Sequence, residues 1–304
     1  MTTLLPASTP PVPEDLRRGS LSGRRRTADV AAKVAIWFAV LLAVVPLAFV
    51  IVTVVAKGAA QWSPEFFDFS GRLPRQTITA GGSMAPAIAG TILTVGLGSL
   101  MAIPLGVLGA IYLNEYGKNS PLARTIRTMA DVMTGVPSIV MALFVFATLV
   151  VLTDELTALF GAVSLACLML PVVIRSSEEM LRLVPDELRQ ASLALGARKW
   201  HTILTVVLPA AISGITSGAL LAIARAAGET AAVLLVIGGT LKVTWSLYPE
   251  RNTSLTLQIY SNAQEPFQTA VDRGWGAAFT LIVIVLVMTL IGRLIASRYA
   301  IKER

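Results

Sequence analysis

The chain has 304 residues, 55% of them hydrophobic and only 14% charged, with a formal net charge of +7 and a mean hydropathy of +0.72. That is too apolar for an ordinary soluble domain and implies several membrane spans. The basic residues stand at the ends of apolar runs rather than in one patch, which argues for topology signals facing anionic lipid and against a nucleic-acid partner. Cys167, the one cysteine, excludes an internal disulfide, and His201, the one histidine, leaves His-based metal or triad chemistry without a second member.

Taken in order, residues 1–27 are rich in Pro, Ser, Thr and Arg and lack periodicity, so a disordered basic tail is expected to about residue 30. Residues 31–304 then form one all-α domain of six membrane spans. The first is Val34 to Ala56, behind the Arg24-Arg25-Arg26 cluster; it is longer than a signal-peptide core and lacks a convincing cleavage site. Residues 57–83 form a polar loop. The second span, 84–113, is rich in small residues that let helices approach closely, and Pro104 predicts a kink. Gly96 and Gly98 resemble part of a nucleotide loop but lie mid-span, where packing explains them. The third span, from about Ile126 to Leu152, has a break at Gly135-Val136-Pro137-Ser138, and the fourth runs from about Leu156 to Ile174.

A central loop follows, about 175–207. Pro185 with Asp186 and Glu187 marks a helix start, and Gly196 its end, because glycine takes the left-handed stop conformation without steric cost. Leu188, Ala191 and Leu195 put one apolar stripe on this helix. About ten residues give only about 15 Å, half of what spanning needs. It is expected to lie at the membrane surface and offer a face to another protein. The fifth span is expected from Ile203 to Gly239, an external polar loop over 240–272, and the sixth span from Gly274 to Ala296.

Basic residues of the tail, the first internal turn, the central loop and the C-terminus far outnumber those of the opposite loops (Lys57, Arg72, Arg75, Lys242, Arg251 and Arg273). Both termini and the central loop are therefore expected in the cytoplasm. No Gly-x4-Gly-Lys-Ser/Thr loop occurs, so the chain does not itself cradle ATP phosphates. Arg225 and Glu229 are four apart in the fifth span, expected on one helix face. Charges in a span cost roughly 2.5–3.5 kcal/mol each on insertion scales, so they persist where they pair or face a pathway. Two readings stand: a self-neutralising packing pair, or an anion pathway in which the guanidinium fork meets oxyanion oxygens and Thr230 adds a hydroxyl. Arg175 with Glu178 and Glu179 is a second candidate charged pair.

The central loop resembles the cytoplasmic loop of ABC importer permeases. That pattern is Glu-Ala-Ala, three residues, Gly, nine residues, then a β-branched residue, one more, and Leu-Pro. Here it reads Gln190-Ala191-Ser192, Gly196, Val206, Leu208-Pro209, with glutamine and serine as the departures. Nearly the whole chain is similar to the PstA-type permeases of bacterial phosphate importers, through Gly106 to Gly117, Gly135 to Val140, Arg225 to Thr230, and Ser254 to Tyr260. Ala232 stands where a proline is usual, and Val233 to Gly239 leans toward the paired PstC-type subunit. The resemblance implies a type I ABC importer permease fold with a coupling helix between spans four and five. It also implies ATPase docking through Glu187, Gln190, Ala191, Ser192, Gly196, Leu208 and Pro209. The implied complex contains a PstC-type permease as heterodimer partner, two ATPase subunits that use ATP and Mg, and an external phosphate-binding protein, in the bacterial cytoplasmic (inner) membrane. The chain itself would be no enzyme and bind no cofactor; phosphate is the expected substrate. A permease for sulfate or molybdate, or a stand-alone proton-coupled carrier, are the rival readings.

Overall fold

The computed structural model describes residues 23–69 and 83–299, with side chains over 27–69 and 83–294. Residues 1–22, most of the expected tail, lie outside the described residues, as do Arg72, Arg75, Lys302 and Arg304. Two units are distinguished, residues 1–53 and 54–304. In the first, helix α1 (Gly23–Ala59) already includes the arginine cluster, so the helix begins earlier than the expected boundary near residue 30. Its apolar side chains, among them Trp37, Phe38 and Phe49, are exposed, as suits a helix clothed by lipid or by other chains.

The regular structure of the second unit is all helical among its described residues, apart from one isolated bridge between Gly238 and Asn252. Helix α2 (Ala85–Gly117) contains Pro104 without interruption and widens into a π turn over Tyr112–Gly117. Helices α3 (Pro121–Gly135) and α4 (Ser138–Thr153) meet at a bend of 107°. Proline explains that bend: Pro137 has no N–H to give and forces Val136 into extended backbone, ψ 129°. The third span is therefore broken, with an amphipathic α3 leading into an α4 of about 24 Å. Helix α5 (Ala158–Arg182) is capped by Thr157, whose Oγ1 accepts from the Phe160 N–H at 3.3 Å. It runs eight residues past the expected end, carrying Arg175, Glu178 and Glu179 on helix rather than in a loop.

Helix α6 (Asp186–Ala194) is the short surface helix expected from the sequence, with Pro185 at its N-cap. Helix α7 (Lys199–Ala227) follows, widened into a π turn over Ile203–Val207 just before Pro209. It stops at Ala227, not near Gly239. A four-residue helix α8 (Ala231–Leu234) and a turn through Gly238 and Gly239 replace the expected continuation. Both glycines have positive φ, 89° and 77°, conformations that side chains resist. Helices α9 (Leu255–Ala263) and α10 (Gln268–Tyr299) complete the chain. Among the described residues five helices are long and apolar enough to cross a membrane, six when the bent α3–α4 pair is counted as one span.

The core is built where α2, α5 and α7 meet. Val95 and Ala102 of α2 pack on Leu165, Met169 and Val173 of α5 and on Ala222 and Ala226 of α7, with Val233 and Ile237 filling in. In lipid the association of helices rests on close packing rather than on burial from water, so small residues matter. A Cβ on Gly106 would sit 2.6 Å from Cγ1 of Val173, and one on Gly98 3.0 Å from the Ala162 carbonyl. Helices α2 and α5 thus meet at backbone distance, and α7 packs on α5 with Gly218 against Ser176.

Candidate translocation and coupling sites

The break after α7 leaves its charged residues beside the middle of α5. Gly228 closes α7 by donating to the Arg225 carbonyl at 3.2 Å, and Glu229 N–H donates to Ala226 at 3.1 Å. Arg225 thus lies in the last turn of α7 and Glu229 beyond it, so the two do not share a continuous helix face as expected. They nevertheless line one small cavity with Leu168, Met169 and Val172, midway along α5. Arg225 is exposed, while Glu229 and Thr230 are half-buried. Among the described residues neither the guanidinium nor the Glu229 carboxylate has an ion-pair or hydrogen-bond partner; Glu229 is engaged only through its backbone, its carbonyl accepting from Thr256 Oγ1 at 3.2 Å. Within a membrane, non-helical backbone is tolerated only against protein or a water-lined path.

The coupling end is arranged differently. Gly196 has φ +85°, and α6 ends with Gly196 N–H donating to the Leu193 carbonyl (2.9 Å) and Ala197 N–H to Ser192 (3.2 Å), the crossed pair of a Schellman stop. Leu188, Leu193 and Leu195 are exposed along α6, as are Glu187, Gln190 and Ala191. The inward face is polar: Ser192 Oγ meets Thr202 Oγ1 at 2.9 Å, and Arg189 reaches below the helix. Leu208 and Pro209 lie at the start of the regular part of α7, where Pro209 helps line a cleft of about 650 Å³ with Leu188, Val184 and Met180.

Two buried carboxylates organise this end, and their partners on other elements are too far away in sequence for spacing to reveal. Glu178, 1% exposed, accepts from Arg127 Nε on α3 at 2.7 Å and from Arg182 Nη2 at 2.7 Å. Arg127 also donates to the Lys118 and Leu113 carbonyls. Arg175 stands 3.7 Å from Glu178 Oε2, but its hydrogen bonds go to Asp131 of α3, Nε at 2.8 Å. Of the second charged pair, then, Arg175 and Glu178 come together within a larger α3–α5 network, and exposed Glu179 stays outside it. The other carboxylate, Glu115, accepts from Arg189 of α6. Arg127, Asp131, Glu115 and Arg189 were missed because their partners are 44 to 74 residues away in sequence. The local signals were the spacings of Glu178 with Arg182 and with Arg175, the latter already a candidate from the sequence.

Residues 102–301 match the model of the family described as binding-protein-dependent transport system inner membrane component. The chain belongs to that family. It is a multi-pass component of the inner membrane, and such a permease works with other membrane and ATPase subunits. It is 40% identical to the phosphate transport system permease protein PstA 1 of Mycobacterium tuberculosis over 282 residues, covering 90% of each chain. Against the phosphate transport system permease protein PstA of Mycobacterium leprae it is 40% identical over 287 residues, covering 91% of this chain and 92% of that one. Two solved structures share the fold. One is an ABC transporter importing the acidic polysaccharide alginate (TM-score 0.60, 15% identity, 90% of this chain and 99% of that one). The other is the inward-facing MetNI methionine transporter (TM-score 0.56, 20% identity, 71% and 94%). The permease thus has the type I ABC importer architecture, with α6 as the surface helix between the fourth and fifth spans.

Proposed function

We propose that the chain is the PstA-type permease subunit of an ATP-driven phosphate importer, forming half of a pore with a PstC-type permease. Two ATPase subunits dock on α6, an external phosphate-binding protein delivers the ion, and both termini and the central loop face the cytoplasm. The observation that carries the reading is the helix break at Arg225, Gly228 and Glu229. It offers a guanidinium with no partner among the described residues, whose planar fork suits oxyanion oxygens. A packing pair would bring the two charges together, and they are apart. Broken helices near the membrane midplane are where carriers build substrate sites. Glu229 and Thr230 flank the ion's route, the carboxylate repelling a bound anion onward and the hydroxyl offering a donor.

The shape of α6 supports the ATPase contact. Exposed Leu188, Ala191 and Leu195 run along a helix too short to span, and Gly196 fixes how sharply the chain turns back into α7. The test is uptake of radiolabelled phosphate by cells whose own importer is deleted and which express the chain with its companion subunits. Uptake that depends on ATP and resists excess sulfate and molybdate is expected. Competition by either ion would assign a different oxyanion, and gradient-driven flux by the purified chain alone would refute the ATP-driven reading.

A further inference from the structure

Glu115 sits in the π turn that ends α2, 5% exposed. Its Oε1 accepts from Arg189 Nη2 at 3.0 Å and Nε at 3.2 Å, and from Asn114 Nδ2 at 2.8 Å. Its backbone carbonyl accepts from Lys199 Nζ, and that ammonium also lies 4.6 Å over the ring of Tyr116. Arg189 belongs to α6 and Lys199 to the first turn of α7, so the end of α2 is held from both sides of the coupling loop. Arg189 spends its remaining donors on the Leu181 and Val184 carbonyls at the end of α5 and on Asp186. One guanidinium therefore joins three elements.

We propose that Glu115 and Arg189 are positioning residues that tie the coupling helix to α2, so that a displacement of α6 is carried along α2 to the opposite end of the permease. The proposal rests on the reading of α6 as the ATPase dock and adds the route by which its movement leaves that helix. The far end of α2 is fastened as well. Thr91 Oγ1 accepts from the Leu255 N–H at 2.9 Å, and Gly90 lies so close under Thr253 that a Cβ would collide with its carbonyl. Between these ends α2 is an unbroken helical rod of 33 residues, about 50 Å long, locked to α5 at Gly106. An exposed ion pair would slip under load at little cost. This one does not: the guanidinium is 15% and the carboxylate 6% exposed, and taking either away strands the other. Without the tie, α6 reaches α2 only indirectly, through α5 and through Lys199 on the Glu115 carbonyl, so the pair sets how fully α2 follows.

The test uses the complete transporter with its companion permease, ATPases and binding protein, reconstituted in proteoliposomes, and reads phosphate carried per ATP hydrolysed. Glu115→Ala is expected to leave ATP hydrolysis running while the ratio falls about fivefold or more. An unchanged ratio, including one in which yield and both rates drop together as for a purely structural residue, overturns the proposal. Should Glu115→Ala fail to assemble, Glu115→Gln is read in its place. It keeps an acceptor for Arg189 without the charge, a fall of about twofold is expected, and an unaltered ratio overturns the proposal. The unmodified complex separates this idea from the functional reading. If it carries sulfate or molybdate instead of phosphate, the substrate assignment falls and the tie is judged on that ion per ATP.

Discussion

The two charged regions of the permease follow opposite rules. At the coupling end the buried carboxylates Glu115 and Glu178 each accept from an arginine of another element, and the charges there are consumed in holding helices together. At the break after α7, Arg225 and Glu229 share a cavity but not a bond. A charge carried into a membrane at a cost and then left without a partner is available for something that passes through. Sequence composition does not separate the two regions, since each offers an arginine within four residues of a glutamate. Partnership in three dimensions does.

The sharpest way to break this contrast is to remove a partnered carboxylate. Glu178→Ala leaves Arg127 and Arg182 facing a vacated buried site, and breaking a buried pair costs about 3–5 kcal/mol. The expected result is loss of assembled transporter, read as complex yield and thermal unfolding in detergent. Wild-type stability would mean that the network is ornamental. Next in size is Arg225→Gln, expected to lower phosphate uptake by more than about tenfold while complex yield and melting stay normal, as for a residue that acts only when substrate is present. Arg225→Lys keeps the charge but loses the fork and should give intermediate uptake. The double change Arg225→Gln with Glu229→Gln should assemble and stay inactive. Near-normal uptake by that double variant would return the residues to a packing role. A smaller effect is expected from Gly196→Ala, because a left-handed residue with a Cβ costs roughly 1–2 kcal/mol. No neighbouring atom would meet that Cβ, so the cost is confined to the backbone. ATPase copurification should weaken severalfold with insertion unchanged; undiminished copurification would show that the turn does not set the docking angle. Smallest is Glu179→Gln: exposed and outside the network, it should change uptake and stability within about 0.5 kcal/mol.

Much of the fold was legible because lipid imposes a length and a polarity on each span. Apolar runs gave α1, α2, α5 and α10, and Pro185 with Gly196 gave α6 to within a residue at either end. The bend at Pro137 was legible as a break but not as a turn of 107°, since proline removes a hydrogen bond without dictating where the next helix goes. The end of α7 was not legible. Residues Ala226 to Gly239 are apolar enough to continue a span, and only their packing against α5 and the loop at Asn252 folds them back, with Thr157 N–H donating to Val236 at 3.0 Å. The site was half legible for the same reason. Arg225 and Glu229 stood out as charges in an apolar run, whereas Glu115 and Arg189 looked like ordinary polar loop residues until the fold brought them together.

The interlocking of α2, α5 and α7 has a consequence for a cell that makes the subunits at unequal rates. Glycines let these helices pack closely, Gly98 against the Ala162 carbonyl and Gly218 against Ser176, and the cavity beside Arg225 has room for about one water molecule. A lone copy waiting in the bilayer for its companions therefore offers no wet thread through this three-helix core. An orphan permease should be electrically silent, and the proton-motive force is safe from its overproduction.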